Sequence, residues 1–159
     1  MLTLNSQGKT LQSTKPLIMG ILNITPDSFY QKSRVTAVSE AIDIIGKMQA
    51  DGASIIDIGG QSTRPGAIAI SASEELDRIG VIIEAVVKQF PDLFISVDTY
   101  FSEVAKEVVH AGAHIINDIS GGQYDREMLN TIAALDVPYV VMHVNENKDE
   151  MHTVQAATS

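Results

Sequence analysis

Five short apolar runs, each ending in polar residues and four of them followed by a stretch of helical spacing, constrain this chain more than any other feature. The runs cover residues 17–22, 54–58, 93–97, 114–116 and 138–142. They are rich in Ile and Val and nearly continuous in apolarity, as strands covered on both faces should be. Between the first two, Val35, Val38, Ile42, Ile45 and Met48 recur at helical spacing over residues 35–50. A second helix is expected over 73–89, opened by Ser73-Glu74-Glu75 with a capping serine and acids in the first turn. A third spans 101–111 and stops before Gly112, and a shorter fourth spans 125–135. Residues 1–15 read as a polar lead-in and 145–159 as a polar tail.

Strand–helix alternation of this kind implies parallel strands joined by right-handed crossovers. An open doubly wound sheet is the rival architecture, but no Gly-x-Gly-x-x-Gly follows the first strand. What ends each strand decides between them. The ends are Asn23, then Asp57-Ile58-Gly59-Gly60, Asp98-Thr99, Asn117-Asp118 and Met142-His143. Any one of these could be an ordinary cap or turn. Five in succession are what a (β/α)₈ barrel places around its mouth, where its chemistry sits. The expected fold class is therefore α/β, a parallel (β/α)₈ TIM-barrel type, with about the first five strands and four helices present. A complete barrel takes about 250 residues, so the 159 residues here form one partial domain.

Composition narrows the classes of function. Apolar residues make up 45 % and charged residues 19 % of the chain, a globular balance. The absence of cysteine excludes disulfides and thiolate metal sites and suits a reducing cytoplasm. No apolar run approaches the ~20 residues that span a bilayer, and the first fifteen residues lack the layout of a secretion signal. No membrane role is expected. A net charge of −9 argues against non-specific nucleic-acid binding. An anionic substrate would need an arginine, a helix N-terminus or backbone N–H groups.

Two segments fit that need. Residues 20–29 read Gly-Ile-Leu-Asn-Ile-Thr-Pro-Asp-Ser-Phe and residues 59–67 read Gly-Gly-Gln-Ser-Thr-Arg-Pro-Gly-Ala. With Ile95-Ser-Val-Asp-Thr99, Ile115-Ile-Asn-Asp118, Ser120-Gly-Gly122 and Val141-Met-His143, the chain resembles the dihydropteroate synthase family from Pro16 to His143. The resemblance implies the joining of 6-hydroxymethyl-7,8-dihydropterin diphosphate to 4-aminobenzoate, with loss of diphosphate. It implies a ring-binding role for Asp98 and Asn117, both suited to the donor and acceptor edge of a pterin. Met142 would pack on the flat ring. Asn23 would accompany the diphosphate and its Mg2+, as a neutral oxygen ligand. Thr25, Pro26, Asp27, Ser28 and Phe29 match a first substrate loop, and Thr63, Arg64 and Pro65 a second. Phe29 and Pro65 would wall the aminobenzoate pocket, while Arg64 would grip an anion through its bidentate fork. Asp98, Asn23 and Arg64 carry the chemistry in this reading, and homodimers are usual in the family. Asp57 reads as structural, and His143 as either a hydrogen-bonding group or a buried neutral imidazole.

The chain also departs from the family pattern. Tyr30-Gln31-Lys32-Ser33-Arg34 replaces a glycine-rich stretch, and Gln61 stands where many members have Glu. The family's Asp-Pro-Gly segment, its pterin-contacting lysine and its final Arg-x-His have no match here. Two alternatives follow: the pterin-binding domain of a methyltetrahydrofolate:corrinoid methyltransferase, and a non-catalytic fragment of the synthase. The first would not be expected to carry the two loop motifs.

Overall fold

The computed structural model describes residues 1–24, 34–61 and 69–143. The elements run β1 (Leu2–Ser6), β2 (Lys9–Ser13), β3 (Met19–Asn23), α1 (Arg34–Ala50), β4 (Ile55–Gly59), α2 (Ala72–Gln89), β5 (Phe94–Asp98), α3 (Ser102–His110), β6 (Ile115–Asp118), α4 (Met128–Leu135) and β7 (Tyr139–Val141). Strands β3 to β7 form one sheet in sequence order, and every neighbouring pair is parallel. The order never reverses, so there is no switch point of the doubly wound kind. Helices α1 to α4 pack each against the next. This is the strand-by-strand winding of a (β/α) barrel, and the expected five strands and four helices are all present.

The strands are long apolar runs because both of their faces are covered. Ile56, Ile58, Ile95, Val97 and Ile116 face the helices and meet Ile45, Ile79, Ile83, Val86, Val104 and Val108. On the inner face, Ile55, Phe94 and Ile115 form a second layer near the strands' N-terminal ends.

Several boundaries correct the sequence reading. Residues 1–15 are mostly an antiparallel hairpin, β1 with β2, rather than a lead-in. Gln7 and Gly8 at its turn both have positive φ (49° and 77°), the requirement of a tight turn matched to strand twist. Leu4, Leu11 and Leu17 pack onto Ile55, Phe94 and Ile115. Gln7 Nε2 donates to the carbonyls of Val109 and Ala113, and Lys9 Nζ to those of Pro91 and Leu93. The hairpin therefore closes the N-terminal end of the sheet.

Helix α2 is capped by Ser71, whose Oγ accepts from Glu74 N at 3.2 Å, so Ser73 lies inside the helix. Helix α4 starts at Met128 because Asp125 is otherwise engaged: its Oδ2 accepts from Ser102 N at 2.7 Å and its Oδ1 from Glu127 N at 2.9 Å. Asp125 thus caps α3, whose own N-cap, Phe101, has no side-chain oxygen to offer. Those two bonds hold its carboxyl below the ordinary range, although partial burial acts first in the other direction. Gly112 has φ +106° after α3, and a side chain there would meet Val87 at 2.8 Å.

Candidate active site

The parallel register sets one rung of residues across the sheet's C-terminal end. Asn23 is level with Gly59, Gly59 with Asp98, Asp98 with Asn117, and Asn117 with Val140. Three polar residues expected at the site therefore share one rung, on four adjacent strands. Gly59 makes that spacing possible. A Cβ there would stand 3.2 Å from Asn23 Oδ1 and 3.6 Å from Asp98 Oδ2.

Below this rung lies a buried polar bracket. Asp57 Oδ1 accepts from Ser96 Oγ at 2.5 Å and Asp57 Oδ2 from Asn117 Nδ2 at 3.0 Å. Asp57 is buried, and its carboxylate is satisfied from two strands. The bond to Asn117 turns the amide nitrogen toward Asp57 and leaves Asn117 Oδ1 without a donor among the described residues. Asp57 thus links β4 to β5 and β6.

Asp98 differs from its neighbours. Among the described residues nothing hydrogen-bonds its carboxyl. Burial, then the charges of Asp57 and Asp118, push it up to about 7. A half-buried carboxyl with no donors gains from any ligand that presents N–H groups to it. The arrangement can read a planar, donor-bearing edge: a charged or chargeable acceptor at Asp98 beside a neutral acceptor at Asn117.

Asp118 at the next position points the other way. It is buried and accepts from Ser120 N, Gly122 N and Tyr139 Oη, which organises the turn after β6. Burial and this carboxylate raise the Tyr139 phenol. Met142 and His143 follow β7 and are exposed. A buried imidazole at His143 is therefore not what the structure holds. Thr25, Pro26, Asp27, Ser28, Phe29, Thr63, Arg64 and Pro65 lie outside the described residues.

Sequence reasoning missed a second cluster behind the rung. Glu75, on the first turn of α2, is wholly buried. Its Oε2 accepts from Thr99 Oγ1 at 2.9 Å. Burial above all pushes its carboxyl up to about 7. Tyr100 Oη donates to Gln61 Oε1 at 3.0 Å and its ring meets Tyr124 edge-on at 5.3 Å. Glu75 is the first-turn acid that the sequence suggests, but its burial was not expected, and the usable signal was Gly60. A Cβ there would stand 2.9 Å from Glu75 Cγ, so the bare backbone admits the acid.

Among the described residues no group of three or more His, Cys, Asp or Glu is placed to hold a metal ion. Asn23 offers a single neutral oxygen, so these residues do not make a resident cation site.

A family profile, pterin binding enzyme, matches residues 19–159. The chain belongs to this pterin-binding family. Its relatives within the family include the mitochondrial folate synthesis bifunctional protein of Pisum sativum, 50 % identical over 141 residues, which cover 87 % of this chain and 27 % of the pea protein. The dihydropteroate synthase of Streptococcus pyogenes serotype M1 is 46 % identical over 143 residues, 90 % of this chain and 52 % of that enzyme. Among solved structures, Xanthomonas albilineans dihydropteroate synthase with 4-aminobenzoic acid superposes with a TM-score of 0.80 at 40 % identity, over 93 % of this chain and 54 % of that one. The chain thus spans about half the length of the bacterial synthases it matches. The pterin-binding barrel explains the strand winding seen here.

Proposed function

We propose that this chain is the pterin-reading portion of a dihydropteroate synthase, which joins 6-hydroxymethyl-7,8-dihydropterin diphosphate to 4-aminobenzoate. The observation that carries the reading is the Asp98 carboxyl, without a donor among the described residues, on one rung with Asn23 and Asn117. The relatives named as dihydropteroate synthases, at 46 % identity, support it.

In this reading the Asp98 carboxylate accepts two adjacent N–H groups of the pterin, and Asn117 Oδ1 accepts a third. Charge-assisted bonds of this kind draw Asp98 back down from about 7, so the ring binds to the ionised form. A carboxylate there also favours positive charge developing on the pterin as the C–O bond lengthens. The diphosphate leaves with the bonding electrons. The aminobenzoate nitrogen then forms the new C–N bond and releases one proton. Arg64, with Thr63, holds the departing anion, and Thr25, Pro26, Asp27, Ser28, Phe29 and Pro65 enclose the aminobenzoate. Met142 covers the ring.

Magnesium enters the proposal as a companion of the diphosphate, with Asn23 supplying one oxygen and the diphosphate others. No helix among the described residues is long and apolar enough to cross a membrane, and we place the protein in the cytoplasm. Homodimerisation belongs to the same proposal for the whole protein.

Binding of the pterin diphosphate, followed by calorimetry, tests the assignment. Asp98→Ala should abolish it with the fold intact, and unchanged binding would sink the reading. Arg64→Ala should weaken the diphosphate-bearing pterin more than the plain hydroxymethylpterin. Equal losses for the two ligands would remove Arg64 from the anion site.

A further inference from the structure

We propose that Glu75 is a positioning residue of this site: it ties the exit of β4 to the exit of β5 and so sets where Asp98 stands relative to Gly60 and Gln61. The inference rests on the pterin-site reading above for its binding test, and on geometry alone for its second test.

Glu75 reaches both exits from one buried position. On the β5 side, its Oε2 takes the Thr99 hydroxyl proton at 2.9 Å, while Thr99 Oγ1 accepts from Phe101 N at 3.2 Å. The hydroxyl is thereby fixed in both directions, immediately after Asp98. On the β4 side, the Glu75 methylenes lie against the bare Cα of Gly60. One turn further along α2, Arg78 Nη1 donates to the Gly60 carbonyl at 3.0 Å, and Arg78 Nη2 pairs with Glu74 Oε1 at 2.6 Å. Tyr100 and Gln61 close the bracket from the front at 3.0 Å. Two exits that would otherwise be independent loops are held to one helix turn.

Packing alone does not account for a polar side chain here. Among the described residues neither Glu75 Oε1 nor Gln61 Nε2 completes a well-formed hydrogen bond, although Gln61 lies close enough to favour the charged form of Glu75. An unpaired buried polar atom costs stability that an apolar side chain of similar size would not. The charged and titratable groups that face Glu75 are Asp98 and Tyr100 from the β5 side and Arg78 from its own helix. Asp98 disfavours the charged form of Glu75, whereas Arg78, Thr99 and Gln61 favour it.

The test compares Glu75→Gln, which keeps the shape and an acceptor for Thr99, with Glu75→Ala, which removes both. Binding of 6-hydroxymethylpterin should weaken roughly tenfold in Glu75→Ala, at a temperature where the variant is fully folded, since one oriented hydrogen bond is lost. Glu75→Gln should bind within about twofold of the parent. A merely structural Glu75 would lower the melting temperature and leave affinity in the folded chain unchanged, which would overturn the proposal. Amide chemical shifts provide the second readout. Glu75→Ala should move Gly60 and Gln61 together with Thr99 and Phe101, and Glu75→Gln should restore both groups. Changes confined to α2 would also overturn the proposal. A parent chain that binds no pterin would defeat the functional reading, while the amide shifts would still decide the role of Glu75.

Discussion

The inner face of the sheet is two surfaces made by the same three strands. Near the N-terminal ends, Ile55, Phe94 and Ile115 pack against one another and are closed by Leu4, Leu11 and Leu17. Two to four residues further along, the same strands present Asp57, Ser96, Asp98 and Asn117. One end is apolar and sealed. The other is polar and only partly satisfied among the described residues. The contrast shows how the barrel separates its tasks along a strand: apolar packing fills the sealed end of the inner face, and the other end holds a carboxyl that has no donor among the described residues.

Phe94→Ala should break the sealed end most severely. Deleting a buried aromatic from a packed layer costs about 3–5 kcal/mol, read as a lower urea midpoint. Asp98→Ala should do the reverse, with a loss of at least roughly a hundredfold in pterin affinity from two charge-assisted bonds and little change in the urea midpoint. If Asp98→Ala destabilised the chain as Phe94→Ala does, the division between the two ends would fail.

Asp57→Ala should fall between them. It strips the acceptor from Ser96 Oγ and Asn117 Nδ2, at about 1–3 kcal/mol for the buried groups left unpaired. Affinity should fall with it, because Asn117 loses its orientation. Denaturation and calorimetry on one preparation would separate the two effects.

The pH response sharpens the comparison further. Asp98 and Glu75 are pushed up to about 7. The folded chain therefore keeps protons that the unfolded chain has already released. Their contribution to stability is complete below their ordinary values and is lost as pH rises to about 7. His114, near the sealed end, works in the opposite direction. Burial, helped by Lys9, brings it down to about 4, and its Nδ1 accepts from Ile95 N. The unfolded chain binds that proton first, so this contribution is lost as pH falls from about 6.5 to 4. Glu75→Gln should flatten the decline in urea midpoint between pH 5 and 7.5, and His114→Gln should flatten the loss on the acid side. The smallest effect should be that of Asp125→Ala, which uncaps α3 for about 1 kcal/mol, visible as a modest drop in melting temperature.

The alternation of strands and helices was legible because it is written locally, in continuous apolar runs and in the spacing of Val35 to Met48. The rung of Asn23, Asp98 and Asn117 was legible because each residue stands at or next to the end of its own strand. The hairpin was not, since the partners of Leu4 and Leu11 stand far along the chain and their alternation is short. The burial of Glu75 was not legible for the same kind of reason. Its burial depends on Gly60 and Thr99, from two other elements, while its own neighbours are those of a solvated helix start. The late start of α4 follows from Asp125 serving a different helix, which no local pattern reveals.

Gln7 also sets the order in which the chain can be assembled. Its partner Ala113 is 106 residues later. During synthesis at about 5–20 residues per second, the hairpin emerges on the order of 5–20 s before its seat exists. Until β6 is made, Leu4 and Leu11 have no complete surface to cover. The hairpin is thus among the last of these elements to dock, and the seal on the barrel floor needs β4, β5 and β6 already in place.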